Sequence, residues 1–252
     1  MKSVRNQSIL MKSAITGRRI IFTITCLQIA LALLAPTSAH SAEHRFAKDV
    51  AQLAAAPAPA PGGILMVGSS IFRKWTTCTN DLAPLPVVNR AFGGSETPDQ
   101  LFFFDEIVPS SQASLVVWYC GSNDVNDKAT PATILRNTAE WIRRTQAALP
   151  QVRILLVSVI RAPQKRDAGL LAEVDEVNRD LVKLAGSISN VVYADVNPSL
   201  ETLAGEPVME CYVQDKLHLT PEGYRRMTSV LRSVIEKEWK QSAAPQSPNA
   251  RN

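Results

Sequence analysis

Five short, largely apolar runs constrain the fold of this chain most strongly. They lie at Ile64–Val67, Val87–Phe92, Leu115–Tyr119, Ile154–Ile160 and Val191–Val196, and longer segments with a helical period separate them. The runs are apolar at both parities rather than at every second residue, which indicates strands buried on both faces. We therefore predict an α/β fold, a three-layer α/β/α sandwich with a five-stranded parallel sheet.

Two threonine-proline pairs mark the starts of helices in this pattern. Thr130-Pro131 and Thr220-Pro221 each place a hydroxyl at an N-cap and a proline in the first turn. The last helix carries an apolar stripe, which we interpret as core: Tyr224, Met227, Leu231 and Val234. The aromatic run Phe102–Phe104 is also predicted to be mostly core, with a lipid-binding stripe as the alternative.

The N-terminal segment has the organisation of a signal peptide. Arg18 and Arg19 precede an apolar run from Ile20 to Ala35, and small residues follow it. The run is shorter than the roughly 20 apolar residues that span a bilayer, which favours cleavage over a membrane anchor. We predict a signal peptide over residues 1–42, an exported protein that is periplasmic or secreted, and no stable membrane span after cleavage.

Composition divides the rest of the chain into three parts. Residues 43–62 are rich in alanine and proline and are predicted to form an extended linker rather than to pack. Residues 63–240 contain the alternating strands and helices and form the predicted folded domain. Residues 241–252 have almost no apolar content, so we predict a disordered tail.

Charge and cysteine content narrow the class of protein. The formal net charge is +4, but five basic residues and no acid precede residue 43, which leaves 22 bases against 23 acids in the remainder. This balance lacks the basic stripe of a nucleic-acid-binding protein. Cys78, Cys120 and Cys211 match no metal-ligand spacing, and an oxidising compartment permits one disulfide and one buried thiol among them.

Small or polar residues follow three of the predicted strands, where parallel sheets bind their ligands. Gly68–Ile71 forms a tight turn whose Ser69 or Ser70 could act as a nucleophile. Asn89–Ser95 contains paired glycines with accessible N–H groups, and Gly121–Asp124 offers a carboxamide for a developing oxyanion. Each segment alone is equally consistent with an ordinary turn.

A fourth segment, Asp215–Pro221, is more specific. It places a carboxylate three residues before His218, and a helix begins directly after it. A carboxylate on one ring nitrogen fixes the histidine tautomer and stabilises the imidazolium that forms when the histidine takes a serine proton. His44 is the other histidine of residues 43–252, and it precedes the linker, so His218 is the candidate base.

The four segments together resemble the SGNH hydrolase family, also called GDSL-like lipases and esterases. The resemblance rests on Gly68–Ile71, Gly94, Gly121–Asp124 and Asp215–His218, in this order and spacing, and covers roughly Ile64 to Trp239. It implies a flavodoxin-like fold with no metal or organic cofactor. Ser69 stands where many members carry aspartate, which removes a carboxylate and adds a rival hydroxyl.

The resemblance also implies a role for each matching residue. Ser70 corresponds to the nucleophile, His218 to the general base and Asp215 to its orienting acid. The oxyanion hole is implied to consist of the Ser70 N–H, the Gly94 N–H and the Asn123 side chain.

The implied function is hydrolysis of a carboxylic ester, such as an acetylated carbohydrate, a lysophospholipid or a small acyl ester. The partners expected are such glycan, lipid or small-molecule substrates, with no nucleic acid, and the sequence carries no signal for an oligomeric state. The charged segment Arg161–Arg166 is read as a solvated loop, with contact to an anionic head group as the alternative. Two other functions stay open, an acyltransferase with the same triad and a non-catalytic module that binds acyl or phosphate groups.

Overall fold

A computed structural model describes residues 44–243 and contains a five-stranded parallel sheet, which confirms the predicted fold class. The strand order is β2-β1-β3-β4-β5, and every neighbouring pair is parallel. The second, fourth and fifth strands end three, three and two residues before their predicted ends, because the chain there turns into loops. The strands are β1 (Ile64–Gly68), β2 (Val87–Asn89), β3 (Leu115–Tyr119), β4 (Arg153–Val157) and β5 (Val191–Ala194).

Helices connect the strands, and both predicted N-caps are present. The Thr130 hydroxyl accepts the Thr133 N–H at 3.2 Å, and the Thr220 hydroxyl accepts the Gly223 N–H at 3.2 Å. None of the helices within residues 44–243 is both long and apolar enough to cross a membrane. The α-helices are α1 (Ala47–Ala55), α2 (Ser70–Arg73), α3 (Cys78–Asp81), α4 (Thr97–Phe102), α5 (Phe104–Ile107), α6 (Ser122–Asn126), α7 (Pro131–Ala148), α8 (Pro163–Asp167), α9 (Leu171–Ser187), α10 (Asn197–Leu200) and α11 (Pro221–Ala243), and 3-10 turns lie at Pro109–Ser111 and Met209–Cys211.

The sheet separates two apolar cores. Alternate residues of β1 point into different cores, so Ile64 and Met66 pack on one face and Leu65 and Val67 on the other. The stripe of α11 fills the first core, whereas α7 and α9 contribute to the second. Of the aromatic run at 102–104, the second and third rings are buried and the first is 44% exposed.

The segment predicted as an extended linker is partly helical. Its residues 47–55 form α1, and Phe46 and Val50 beside and within this helix are buried in the second core. The Phe46 ring packs edge-on against Phe92, with 5.2 Å between ring centroids. Alanine favours helix, and the first proline of the segment is Pro57, so the chain is free to form a helix before that position. The linker prediction is therefore wrong for residues 47–55.

The predicted ends of the chain lie mostly outside the described residues. This holds for the signal peptide over residues 1–42 and for residues 244–252 of the predicted tail. Helix α11 continues to Ala243, three residues beyond the predicted end of the domain.

The three cysteines of the described chain are free and buried. Cys120 lies in the second core, whereas Cys78 and Cys211 lie in the first, so the sheet separates Cys120 from both of them. Cys78 belongs to α3 and Cys211 to a 3-10 turn that precedes α11. The disulfide that an oxidising compartment would permit is not formed.

Substitution of Gly68 tests how the first strand ends. A Cβ built on Gly68 would lie 1.9 Å from the Tyr119 carbonyl oxygen, and the φ of +132° is strained for any side chain. We expect Gly68→Ala to lower the free energy of unfolding by about 3 kcal/mol or more, measured by urea denaturation. Gly186→Ala, in the last turn of α9 where an added Cβ would meet no atom within 4 Å, is the matched control and should raise it by about 0.4–1 kcal/mol. Equal effects of the two substitutions would contradict this account.

Candidate active site

The turn after β1 carries the two candidate nucleophiles. β1 ends at Gly68, and Ser70 is the first residue of α2. The Ser69 N–H donates to the Tyr119 carbonyl at 3.0 Å, which ties this turn to the end of β3. The Ser69 hydroxyl is buried and has no hydrogen-bond partner among the described residues. Of the two neighbouring hydroxyls, it is that of Ser70 that contacts the candidate base.

His218 lies between Ser70 and Asp215. Its Nε2 is 2.9 Å from Ser70 Oγ, although the two residues are 148 positions apart. Its Nδ1 is 2.6 Å from Asp215 Oδ2. The other carboxylate oxygen, Oδ1, accepts the backbone N–H groups of Leu217 and His218, each at 2.9 Å. The structure thus brings together the three residues that the sequence predicts as a triad, in the connectivity that such a triad requires.

The Asp215 carboxylate stays ionised at neutral pH. Burial opposes its ionisation, but hydrogen bonds from the His218 side chain and from the N–H groups of His218 and Leu217 outweigh burial and lower the pKa to about 2. A charged carboxylate at Nδ1 favours the tautomer in which Nδ1 carries the proton. Nε2 is then free to accept a proton from Ser70.

The candidate oxyanion donors lie on the neighbouring loops. The loop that contains Gly93 and Gly94, here called the glycine loop, passes close to the nucleophile, since a Cβ built on Gly93 would lie 3.7 Å from Ser70 Cβ. Gly94 follows with a φ of +78°, in the left-handed region that favours glycine. Asn123 Nδ2 donates to the Ser95 carbonyl at 2.8 Å. A carboxamide nitrogen has two N–H groups, so this bond orients the Asn123 amide without using both.

Two buried polar side chains beneath these loops were missed by the sequence analysis. The Ser95 hydroxyl donates to the Phe92 carbonyl at 2.9 Å. Gln100 Nε2 donates to the Gly68 carbonyl at 3.0 Å and to Ser95 Oγ at 2.8 Å. These bonds connect the glycine loop to the end of β1, directly before the nucleophile. The sequence offers no signal for them, because serine and glutamine are common on exposed turns and helices.

Asp124, the last residue of the predicted segment Gly121–Asp124, supports the turn that carries Asn123. It is buried, and its carboxylate accepts the Thr97 N–H at 2.9 Å and the Thr97 hydroxyl. Burial raises its pKa, and the bonds from Thr97 oppose that shift. The pair joins α6 to the start of α4. In the described chain, no three histidine, cysteine or acidic side chains are grouped so that they could hold a metal ion.

The charged segment after β4 is not the solvated loop that the sequence suggests. It forms α8, and Lys165 within it is fully buried. Its arginines pair with carboxylates, Arg161 with Glu201 at 3.2 Å and Arg166 with Glu206 at 2.6 Å. Because these cations are paired or buried, the segment provides no support for contact with an anionic head group.

The chain belongs to the GDSL-like lipase/acylhydrolase family. Residues 66–226, more than half of the chain, match the family model described as the GDSL-like Lipase/Acylhydrolase family. The matched range begins in β1 and ends in α11, so it contains Ser70, Asn123, Asp215 and His218. A search of curated proteins found no match.

Solved structures share this fold at low sequence identity. A GDSL-like lipase from Bacteroides thetaiotaomicron is 21% identical with a TM-score of 0.66, and the match covers 77% of this chain and 98% of that chain. A carbohydrate esterase family 3 protein from Talaromyces cellulolyticus is 16% identical with a TM-score of 0.58, covering 71% and 99%. A lipase/acylhydrolase from Enterococcus faecalis is 18% identical with a TM-score of 0.56, covering 69% and 96%.

The lowered pKa of Asp215 predicts a pH-dependent contribution to stability. A carboxylate whose folded-state pKa lies below its ordinary value stabilises the fold above about pH 4, and this stability is lost as the pH falls towards 2. Asp215→Asn cannot make this contribution. We expect the difference in urea midpoint between wild type and variant to be largest near neutral pH and to shrink below pH 4. A difference that stays constant from pH 7 to pH 3 would contradict the assignment.

Proposed function

We propose that this protein is an exported serine esterase that hydrolyses a carboxylic ester through Ser70, His218 and Asp215. The observation that carries the proposal is the chain of two short contacts, 2.9 Å from Ser70 Oγ to His218 Nε2 and 2.6 Å from His218 Nδ1 to Asp215 Oδ2. Membership of the GDSL-like lipase/acylhydrolase family supports ester chemistry at this position.

In the first half-reaction, the nucleophile is acylated. Ser70 Oγ attacks the ester carbonyl carbon while His218 Nε2 takes the hydroxyl proton. The carbonyl oxygen becomes an oxyanion, and His218 then returns the proton to the departing alcohol. Asp215 keeps its charge throughout and stabilises the imidazolium that exists between these two transfers.

The oxyanion needs donors that are already in place when the charge develops. We assign this role to the Ser70 N–H, the Gly94 N–H and the Asn123 side chain. The assignment is supported by the proximity of the glycine loop to Ser70 and by the bond that orients the Asn123 amide. The hydrogen bonds of Gln100 and Ser95 keep that loop fixed against the end of β1.

The second half-reaction releases the acyl group. A water molecule takes the place of the alcohol, gives its proton to His218 and attacks the acyl carbon, so that a carboxylic acid leaves and Ser70 recovers its proton. Every proton transfer uses groups of this chain, the substrate or water.

For the substrate, we propose an ester from one of three groups: acetylated carbohydrates, lysophospholipids and small acyl esters. Structural relatives described as a lipase, an acylhydrolase and a carbohydrate esterase support this range. We further propose that the protein acts outside the cytoplasm. The basic N-terminal residues, the apolar run after them and the near-neutral charge of the remaining chain support export.

The two neighbouring serines allow a matched test of the nucleophile. We expect Ser70→Ala to lower kcat for p-nitrophenyl acetate by about 10⁴-fold or more, because it removes the attacking oxygen. Ser69→Ala should change kcat by less than about threefold, since the Ser69 hydroxyl is buried and makes no hydrogen bond in the described chain. The measurement is release of p-nitrophenol from esters of increasing acyl length, which also distinguishes short-acyl from long-acyl substrates. Loss of activity with Ser69→Ala and not with Ser70→Ala would reverse the assignment.

A further inference from the structure

A lysine is fully buried next to the candidate oxyanion donor. Lys165, on α8, has no exposed surface, and its Nζ donates to the Ser122 carbonyl at 2.5 Å and to Asn126 Oδ1 at 2.6 Å. Lysine is almost never fully buried unless its charge is paired or hydrogen-bonded. Burial lowers its pKa to about 8, and the charges of Asp124 and Asp127 oppose that shift. The ammonium form therefore predominates at neutral pH.

The two acceptors of Lys165 lie at the ends of α6. Ser122 directly precedes Asn123 and begins this five-residue helix, and Asn126 ends it. The Gln164 side chain also donates to Asn126 Oδ1, at 3.2 Å. Charge-assisted bonds of this kind are about twice as strong as neutral ones, so they restrict the turn that carries Asn123.

The same short helix α8 also contacts the loop that carries the acid and the base. The Gln164 N–H donates to the Lys216 carbonyl at 3.0 Å. Lys216 Nζ in turn pairs with Asp167 Oδ2 at 2.8 Å. Lys216 is the residue after Asp215 and lies two positions before His218. Helix α8 therefore connects the turn of Asn123 to the loop of His218, although the two are almost a hundred positions apart in sequence.

We propose that Lys165 is a positioning residue that keeps the Asn123 amide at a fixed position relative to the Ser70–His218 pair. This inference rests on the proposed function, in which Asn123 donates to the oxyanion. Lys165 itself touches no reacting atom in this scheme and acts through Ser122 and Asn126. A displacement of about 1 Å at such a donor can lower turnover about 100-fold, because the donor must match the position of the charge in the transition state.

The first test is a comparison of two neighbouring cations in the full-length protein. We expect Lys165→Met to lower kcat for p-nitrophenyl acetate by about 10- to 100-fold with KM changed less than about threefold, since oxyanion donors act on the transition state. Arg166→Met, on the same helix, removes an exposed ion pair with Glu206 and should keep kcat within about twofold. A normal kcat for Lys165→Met would overturn the inference.

A double-mutant cycle separates positioning from a merely structural role. Asn123→Ala alone should lower kcat by about 100- to 1000-fold. If Lys165 acts through Asn123, Lys165→Met should lower the residual kcat of Asn123→Ala by less than about threefold. An effect of the same size in both backgrounds would show that Lys165 does not act through this donor and would overturn the inference.

A milder variant covers the case in which Lys165→Met does not fold. Asn126→Ala removes one acceptor of Lys165 and should lower kcat several-fold in the wild-type background but not in Asn123→Ala. Equal losses in the two backgrounds would again contradict positioning. If the wild-type protein hydrolyses no ester, the proposed function itself fails. If the wild type is active but the variants lose the same share of kcat in both backgrounds, only the role of Lys165 is refuted.

Discussion

The site depends on how closely β1 and β3 approach each other at their carboxyl ends. Gly68 is in register with Tyr119, and the space where a side chain would stand at Gly68 is occupied by the Tyr119 carbonyl. Because the pairing is parallel, the chain leaves both strands at the same edge of the sheet. One exit carries Ser70 and the other carries Asn123. A rigid contact between two central strands thus sets the distance between the candidate nucleophile and a candidate oxyanion donor.

The remaining parts are held against this pair by buried polar side chains. Gln100 and Ser95 fasten the glycine loop beneath the nucleophile, and Asp124 joins the turn of Asn123 to α4 through Thr97. Buried polar groups of this kind must be hydrogen-bonded to be tolerated, so each one restricts the loops that it connects. His218 contacts Ser70 from the loop that directly precedes α11. Its orientation comes from the tight turn that Asp215 closes with Leu217 and His218.

The sequence predicts the sheet and the Asp215–His218 pair because both depend on local patterns, whereas the grouping of this pair with Ser70, 148 positions from His218, was implied by the family resemblance. Apolar residues at both parities reflect burial on two faces, and the short spacing from Asp215 to His218 reflects a single turn. The burial of Lys165 could not be predicted in this way, because it depends on acceptors about 40 positions away in sequence. From the sequence alone, a lysine in a charged segment is expected to be exposed to solvent. Helix α1 was missed because prolines after Ala56 dominate the composition of that segment, whereas the burial of Phe46 against Phe92 depends on tertiary contact. The sequence also does not show which face of the sheet each thiol occupies, and that placement separates Cys120 from Cys78 and Cys211.

The central claim is that Ser70 is a nucleophile activated by His218, and covalent labelling tests it most directly. A fluorophosphonate reacts with a serine whose hydroxyl is deprotonated by a neighbouring base and leaves a stable adduct. The account predicts one adduct per chain by intact mass, on the peptide that contains Ser69 and Ser70, with fragmentation assigning it to Ser70. A folded protein that takes up no label, or that carries the label at Ser69, would contradict it.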